Sequence, residues 1–242
     1  MKALIPAAGK GKRMLPLTEY CPKALLPIDE TNTILDLLVK NCMRAKEIDE
    51  IIIAVNCEQY HYFEMWNEYE KVTFYISSIE DNVIKCLSQI INDIEGEDIL
   101  IAAADNVIEF EIQSFVNFYN EDINKFAVMY YMEDTIQELR RTGVALVEEG
   151  LVVAMEEKPR SPKFRYAIPP FYIIPKGQLE SISRFLKSGI KVDSLGTYLS
   201  WYVCESEVRA FLMPGKRYNL GDKEAYLKYR LSRGKERDNN DY

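Results

Sequence analysis

The chain has 242 residues, of which 48% are hydrophobic and 28% charged, an ordinary globular mix that excludes collagen-like, coiled-coil and wholly disordered classes. Its length suits one large domain or two small ones. Thirty Lys and Arg against 38 Asp and Glu leave a net charge of −8, which argues against a nucleic-acid polymer or an anionic membrane as partner but leaves room for a local basic pocket.

The first half alternates short apolar runs with helical patterns, the signature of parallel strands joined by crossover helices. Strands are expected at Lys2 to Ala7, Ile51 to Val55, Val72 to Ile76 and Asp98 to Ala103. Between them, Thr33 to Lys46 carries Ile34, Leu37, Leu38, Cys42 and Ala45 at helical spacing, with Thr33 as its cap. Gln59 to Tyr69 and Asn82 to Ile94 read the same way. Such units predict an α/β fold with a Rossmann-like, doubly wound, mostly parallel sheet, whose ligands sit beyond the carboxyl ends of the strands. After Asp105 the pattern changes to a helix at Gln113 to Tyr119 and strands at Phe126 to Met132, Gly143 to Val147 and Val152 to Glu156. Pro159, Pro162, Pro169, Pro170 and Pro175 then mark a loop-rich stretch. Helices are expected at Lys176 to Leu186, Leu195 to Cys204 and Lys223 to Leu231, followed by a polar, frayed tail over 232–242.

The longest apolar runs, Ile51 to Val55 and Ile99 to Ala104, fall far short of the ~18–20 residues that span a bilayer. Met1 to Ile5 is too short an apolar run for a secretory leader. Five cysteines, Cys21, Cys42, Cys57, Cys86 and Cys204, are widely spaced without a C-x-x-C pair, which reads as reduced structural thiols. A cytoplasmic protein with no membrane segment is expected.

The most informative stretch is Ala7-Ala8-Gly9-Lys10-Gly11-Lys12-Arg13-Met14-Leu15-Pro16-Leu17-Thr18, followed by Pro22-Lys23-Ala24-Leu25-Leu26-Pro27. It directly follows the first expected strand. Gly9 and Gly11 let backbone N–H groups approach phosphate oxygens, and Lys10, Lys12, Arg13 and Lys23 concentrate positive charge in an otherwise acidic chain. The spacing is not that of a P-loop, and Met14 stands where a dinucleotide fingerprint has its third glycine.

Read together, G-x-G-x-R-x-x-P-L-T and P-K-x-x-x-P resemble the sugar-phosphate nucleotidyltransferases. The resemblance continues through Ala104-Asp105-Asn106, Thr142-Gly143-Val144, Glu157-Lys158-Pro159 and Tyr218-Asn219-Leu220-Gly221-Asp222. It implies one nucleotidyltransferase unit over 1–231, with a nucleotide-binding half over 1–110 and a sugar-phosphate-binding half over 111–231. It also implies an enzyme that joins an NTP to a sugar 1-phosphate, giving an NDP-sugar and pyrophosphate with Mg²⁺ as cofactor.

By that resemblance Ala8, Gly9, Gly11, Lys12 and Arg13 bind the nucleotide, and Arg13, Lys23 and Asp105 are catalytic. Gly143, Glu157 and Lys158 bind the sugar phosphate. Asp105 is a metal ligand, with Asn219 or Asp222 as a second. The nucleophile in such a reaction is a phosphate oxygen already ionised at pH 7, so the single histidine, His61, is expected to be structural.

Two departures leave alternatives open. Ser78-Ile79-Glu80-Asp81-Asn82-Val83 replaces the Q-x-x-P-x-G stretch with which many relatives read a thymine or uracil edge, so the base is not fixed beyond a lean toward pyrimidines. The Ala-Ala-Gly-Lys-Gly-Lys-Arg-Met spelling also looks like cytidylyltransferases, which keeps open a CTP-dependent enzyme acting on a non-sugar phosphate or phosphonate. Asn219 stands where relatives often have an Asp, a weaker Mg²⁺ ligand, which keeps open a nucleotide-sugar-binding regulatory protein with impaired turnover. Whether the chain forms a homo-oligomer is likewise open.

Overall fold

Apolar runs without polar interruption become strands buried on both faces. The computed structural model describes residues 1–77, 83–94, 96–192 and 194–238, and of its first four strands β1 (Lys2–Pro6), β2 (Glu50–Asn56) and β4 (Ile99–Ala102) are of this kind, whereas β3 (Val72–Ser77), at the sheet edge, leaves Thr73 and Ile76 exposed. They lie parallel in the order β3, β2, β1, β4, with Leu4 of β1 opposite Ile52 and Ile101.

Three helices follow the first three strands: α1 (Ile34–Arg44), α2 (Tyr60–Trp66) and α3 (Val83–Asp93). Thr33 and Asp36 form a reciprocal capping box at the start of α1, which satisfies two backbone N–H groups that the first turn leaves unpaired. The Asp36 carboxylate also accepts from the Thr33 and Tyr69 hydroxyls. Burial would raise its carboxyl, but the bonds from Thr33 and Tyr69 outweigh that and hold it below the ordinary value.

Alternate residues of each strand feed opposite layers. Ala3, Ile5, Ile51 and Ile53 pack with α1, α2 and α4 (Gln113–Asn120). Leu4, Ile52, Ile99 and Ile101 pack on the other face with α3 and two later helices. Each fully buried Leu or Ile contributes about 1.5–3 kcal/mol.

Beyond β4 come β5 (Asn106–Ile108), β6 (Phe126–Met132), the short α5 (Ile136–Leu139), β7 (Gly143–Glu148), β8 (Leu151–Glu157), β9 (Tyr166–Ile168) and β10 (Phe171–Ile174). The chain then forms α6 (Glu180–Lys187), α7 (Leu195–Tyr202), β11 (Val208–Leu212), β12 (Arg217–Asn219) and α8 (Lys223–Asp238). Among the described residues ten strands make one sheet, in the order β11-β8-β7-β9-β6-β10-β4-β1-β2-β3. The α/β, doubly wound arrangement is the one expected. Parallel pairing is concentrated in β1 to β4, whereas β10 runs antiparallel to both β4 and β6, and β7, β8 and β9 are joined by antiparallel ladders. β11 pairs with both β6 and β8, closing a ring through β9 and β7.

Three expectations are corrected. The proline-marked stretch holds β9 and β10, and β10 is a central strand. Pro169-Pro170 and Pro175 bracket it so closely that only four residues pair, too few to show a period. The helix expected at Lys176 to Leu186 opens as a 3-10 turn, Lys176–Gln178, before α6. The last helix continues through Asp238 instead of fraying after Leu231.

β1 and β4 are parallel neighbours, so the loop after Pro6 and the turn at Asp105 emerge side by side at the carboxyl edge of the sheet. A separate pair, β12 with β5, brings Asn219 opposite Asn106 at that same edge.

Candidate active site

The loop after β1 turns on Gly11, whose φ of +62° lies in the left-handed region where a side chain is strained. The Thr18 hydroxyl donates to the Gly11 carbonyl at 2.9 Å, and a Cβ on Gly11 would stand 3.0 Å from the Thr18 methyl. Three residues on, Met14 is fully buried in a small cluster with Leu26, Ile28, Val107, Leu220 and Tyr226. Anchoring Met14 inward leaves Arg13 exposed on a cleft wall that it shares with Ala8 and Gly9. Asn56, at the end of β2 and almost fully buried, donates from Nδ2 to the Ala8 carbonyl at 2.8 Å and clamps the start of the loop. Lys12 is exposed and is not among the residues lining the cleft, and Lys10 pairs with Glu58 at 3.3 Å.

Lys23 opens a 3-10 turn, Lys23–Leu25, held by buried Ala24 and Leu25. Its Nζ lies 2.6 Å from Asp105 Oδ2, with both side chains about one-fifth exposed. Burial alone would lift the Asp105 carboxyl, but the Lys23 charge, its hydrogen bond and, further off, Arg217 outweigh it and hold the carboxyl below the ordinary range. The other carboxylate oxygen accepts from Asn106 Nδ2 at 2.7 Å. Asn106 in turn accepts from Arg217, whose guanidinium also donates to the Tyr131 hydroxyl at 2.9 Å.

Gly221 joins the two sides of this end. The Leu220 N–H donates to the Asp105 carbonyl at 2.8 Å, and the Gly221 N–H donates to Asn219 Oδ1 at 3.0 Å. A Cβ on Gly221 would stand 2.9 Å from Asn219 Oδ1, 3.3 Å from Asp105 Oδ2 and 3.7 Å from an Arg13 nitrogen. Two hard oxygens and a guanidinium therefore converge over one Cα. Asp222 is engaged differently: Oδ1 accepts from the Ala225 N–H at 3.0 Å, capping α8, and Oδ2 faces Arg141 at 3.5 Å.

The far end of the cleft is built around Glu157, the last residue of β8. Gly143, opposite it on β7, and Gly196, in the first turn of α7, leave it space. A Cβ on Gly196 would fall 1.9 Å from Glu157 Oε2, and one on Gly143 would fall 3.0 Å from the same atom. Ser194 caps α7 by accepting from the Thr197 N–H and donates its hydroxyl to Glu157 Oε1 at 2.6 Å. Lys158 has a φ of +45°, a conformation that costs a non-glycine residue roughly 1–3 kcal/mol. Its N–H donates to the Thr142 carbonyl at 3.1 Å. Tyr172, on β10, lines this end as well, and burial, with the Glu157 charge second, pushes its hydroxyl well above its ordinary value.

Both ends line one cleft of about 1360 Å³. Residues 2–233 match the family described as Nucleotidyl transferase. The chain belongs to that family. Its likeness to the bifunctional protein GlmU of Methanocaldococcus jannaschii is 23% identity over 91% of this chain and 51% of that protein. A UTP–glucose-1-phosphate uridylyltransferase of Synechocystis is 25% identical over 91% of this chain and 53% of its own length. The chain thus spans about half the length of these relatives. A crystal structure of UDP-glucose pyrophosphorylase complexed with UDP-glucose superposes with a TM-score of 0.82, covering 97% of this chain and 98% of that one at 21% identity, a likeness of fold.

Arg13, Asp105, Asn219 and Gly221 are brought together at one end, with Lys23 reaching them through Asp105. Gly143, Glu157 and Lys158 meet at the other. Ser78 to Asn82, the stretch that departs from the base-reading pattern, lies outside the described residues, while Val83 lines the cleft. His61 is exposed on α2 and stacks on Tyr62 at 3.9 Å. Sequence reasoning missed Asn56, Tyr131, Ser194, Gly196 and Arg217. Ser194 carries a partial signal, a Ser before a helical run, but nothing in it points to Glu157 thirty-seven residues away.

Proposed function

We propose that the chain is an enzyme that transfers a nucleotidyl group from an NTP, a pyrimidine NTP by preference, to a sugar 1-phosphate and releases pyrophosphate, with Mg²⁺ as cofactor. The observation that supports it most is one cleft lined at one end by Gly9, Arg13 and Asp105 and at the other by Gly143, Glu157 and Lys158. Positive charge and open backbone suit a triphosphate, and a carboxylate beside a lysine suits a sugar hydroxyl beside its phosphate.

An ionised oxygen of the sugar phosphate attacks the α-phosphorus. The new P–O bond forms as the bond to the bridging oxygen of the β-phosphate breaks, and that electron pair leaves with pyrophosphate. No side chain has to remove a proton, so catalysis is positioning and charge stabilisation. Arg13 holds the outer phosphates. Lys23, fixed by Asp105, presents its ammonium where the two substrates' phosphates meet. Glu157 accepts from sugar hydroxyls, Lys158 holds the sugar phosphate, and the bare Cα of Gly143 lets the sugar approach.

Among the described residues no group of three or more His, Cys, Asp or Glu side chains is arranged to hold a metal ion. The convergence of Asp105 Oδ2 and Asn219 Oδ1 over Gly221 does fit an ion that takes most of its ligands from phosphates and water. Asp105 and Asn219 would hold Mg²⁺, which supplies positive charge against the phosphate oxygens. Asp222 is engaged by α8 and Arg141. All five cysteines are free, and among the described residues no helix is long and apolar enough to cross a membrane, which supports work on small molecules in the cytoplasm.

Pyrophosphate release with each of the common NTPs against a panel of sugar 1-phosphates, with the product identified by mass, tests this. The expected result is pyrophosphate and an NDP-sugar in equal amounts, only when both substrates are present. No release with any pair contradicts it.

A further inference from the structure

We propose that the acceptor carries a second ionised group, a carboxylate or a phosphate, besides the phosphate that reacts, and that Arg217, Arg140, Lys216 and Lys228 receive it. The inference rests on the nucleotidyltransferase reading above and narrows its substrate class.

Arg217 makes the case. It is half-buried at the start of β12 and lines the cleft, yet its hydrogen-bond partners are both neutral: Asn106 and the Tyr131 hydroxyl. Its guanidinium also lies 5.4 Å from the Tyr131 ring centre. Asp105, a carboxylate that feels its charge, is already taken by Lys23 at 2.6 Å. A guanidinium carries five N–H donors in a planar fork. A partly desolvated cation held rigidly by neutral groups, with donors left over, is a ready receptor for an anion.

The same wall holds more cations than its carboxylates can neutralise. Arg140, Lys216 and Lys228 line the cleft and form no ion pair among the described residues. Of the carboxylates that line the cleft with them, Glu133 accepts from the Thr135 N–H, and Glu138 and Asp222 are both shared with Arg141, at 3.4 and 3.5 Å. That double contact ties the segment after α5 to the start of α8. On α8, Ala225, Lys228 and Tyr229 are spaced to share one face, and all three line the cleft.

The position of this wall decides what it reads. Arg217 reaches Asn106 on one side and Tyr131 on the other, and Tyr131 pairs with Ala167, which pairs with Val144 next to Gly143. With Arg140 three residues before Gly143, the wall therefore runs from the Asp105 end toward Glu157, while the triphosphate has the loop after β1. The reacting phosphate already has Lys23 and Lys158. A neutral sugar would leave Arg217, Arg140, Lys216 and Lys228 facing the cleft with no carboxylate among the described residues ion-paired to any of them.

The test measures steady-state pyrophosphate release with glucose 1-phosphate, glucuronic acid 1-phosphate and glucose 1,6-bisphosphate, for the wild type and an Arg140→Gln/Lys228→Gln double variant. The wild type should favour one doubly ionised acceptor by about tenfold in kcat/KM, and the carboxylate and phosphate arms show which. The double variant should raise KM for that acceptor about tenfold and leave glucose 1-phosphate within about twofold. A wild-type preference for glucose 1-phosphate, or equal KM changes for charged and neutral acceptors, overturns the proposal. Calorimetric binding of the same three acceptors without NTP separates it from the reaction itself. If no pair releases pyrophosphate but a doubly ionised acceptor still binds more tightly and loses that advantage in the double variant, the second anion stands and the transfer reaction falls. If binding shows no such difference either, both fall.

Discussion

At the end of the cleft proposed to hold the triphosphate, Ala8, Gly9, Arg13, Lys23, Asp105 and Asn106 come from two stretches, 7–23 and 105–106, delivered by two neighbouring parallel strands. At the proposed acceptor end, Glu157, Gly143 and Ser194 arrive from two antiparallel strands and the cap of a helix, with Gly143 opposite Glu157 in the β7–β8 ladder and Ser194 donating to Glu157. The first end is shaped by backbone, with a left-handed glycine and a buried methionine setting where one arginine points. The second is shaped by absence, since two missing Cβ atoms make room for one carboxylate. Charge should therefore dominate function at the first end and space at the second.

The largest effect should come from removing charge. Arg13→Ala and Lys23→Ala should each lower turnover by about 10²–10³-fold, the loss typical of one transition-state donor, with unfolding midpoints showing that both variants remain folded. Wild-type rates in either would break the comparison at its phosphate end.

Adding one methyl group tests the other end. Gly196→Ala would place a Cβ 1.9 Å from Glu157 Oε2, so the carboxylate must swing away. KM for the sugar phosphate should rise about tenfold while KM for the NTP stays within about twofold. Two-substrate kinetics measure this.

A smaller effect separates Asn219 from Asp222. Asn219→Asp puts a second carboxylate beside Asp105 and should lower the Mg²⁺ needed for half-maximal rate several-fold, roughly, as ligand charge increases. Asp222→Asn keeps a capping oxygen and should leave that Mg²⁺ requirement unchanged, with a stability loss below about 1 kcal/mol. A Mg²⁺ titration of both variants distinguishes them.

The smallest effect lies away from the cleft. Thr33→Ala removes the α1 cap and should cost about 1 kcal/mol. Its pH dependence has a definite sign. Because the Asp36 carboxyl is held below its unfolded value near 3.9, the stability it confers is complete above about pH 4 and is lost as pH falls through its folded value. The variant gives up part of that hold, so the gap between its midpoint and the wild type's should narrow below about pH 4. Denaturant unfolding at several pH values measures it.

The contrast between the two ends also explains what the sequence could show. Residues 9–23 lie in one stretch, so glycine spacing and basic charge are visible as a pattern, and the strand before them has an unbroken apolar run. Arg217 gives no such signal, because its role depends on β12 pairing with β5, two strands of three residues each. Gly196 reads as an ordinary early helix residue until its distance to Glu157 is known. β10 hides for a related reason: its place between β4 and β6 is set by long-range pairing that a four-residue run between prolines cannot announce.

The division of labour between the two ends is tested most directly by two-substrate kinetics on Glu157→Ala and Lys158→Ala. Both should raise KM for the sugar phosphate by about tenfold or more and leave KM for the NTP within about twofold. Equal increases in the two Michaelis constants would contradict the account, because they would mean that the Glu157 end does not hold the acceptor separately from the nucleotide.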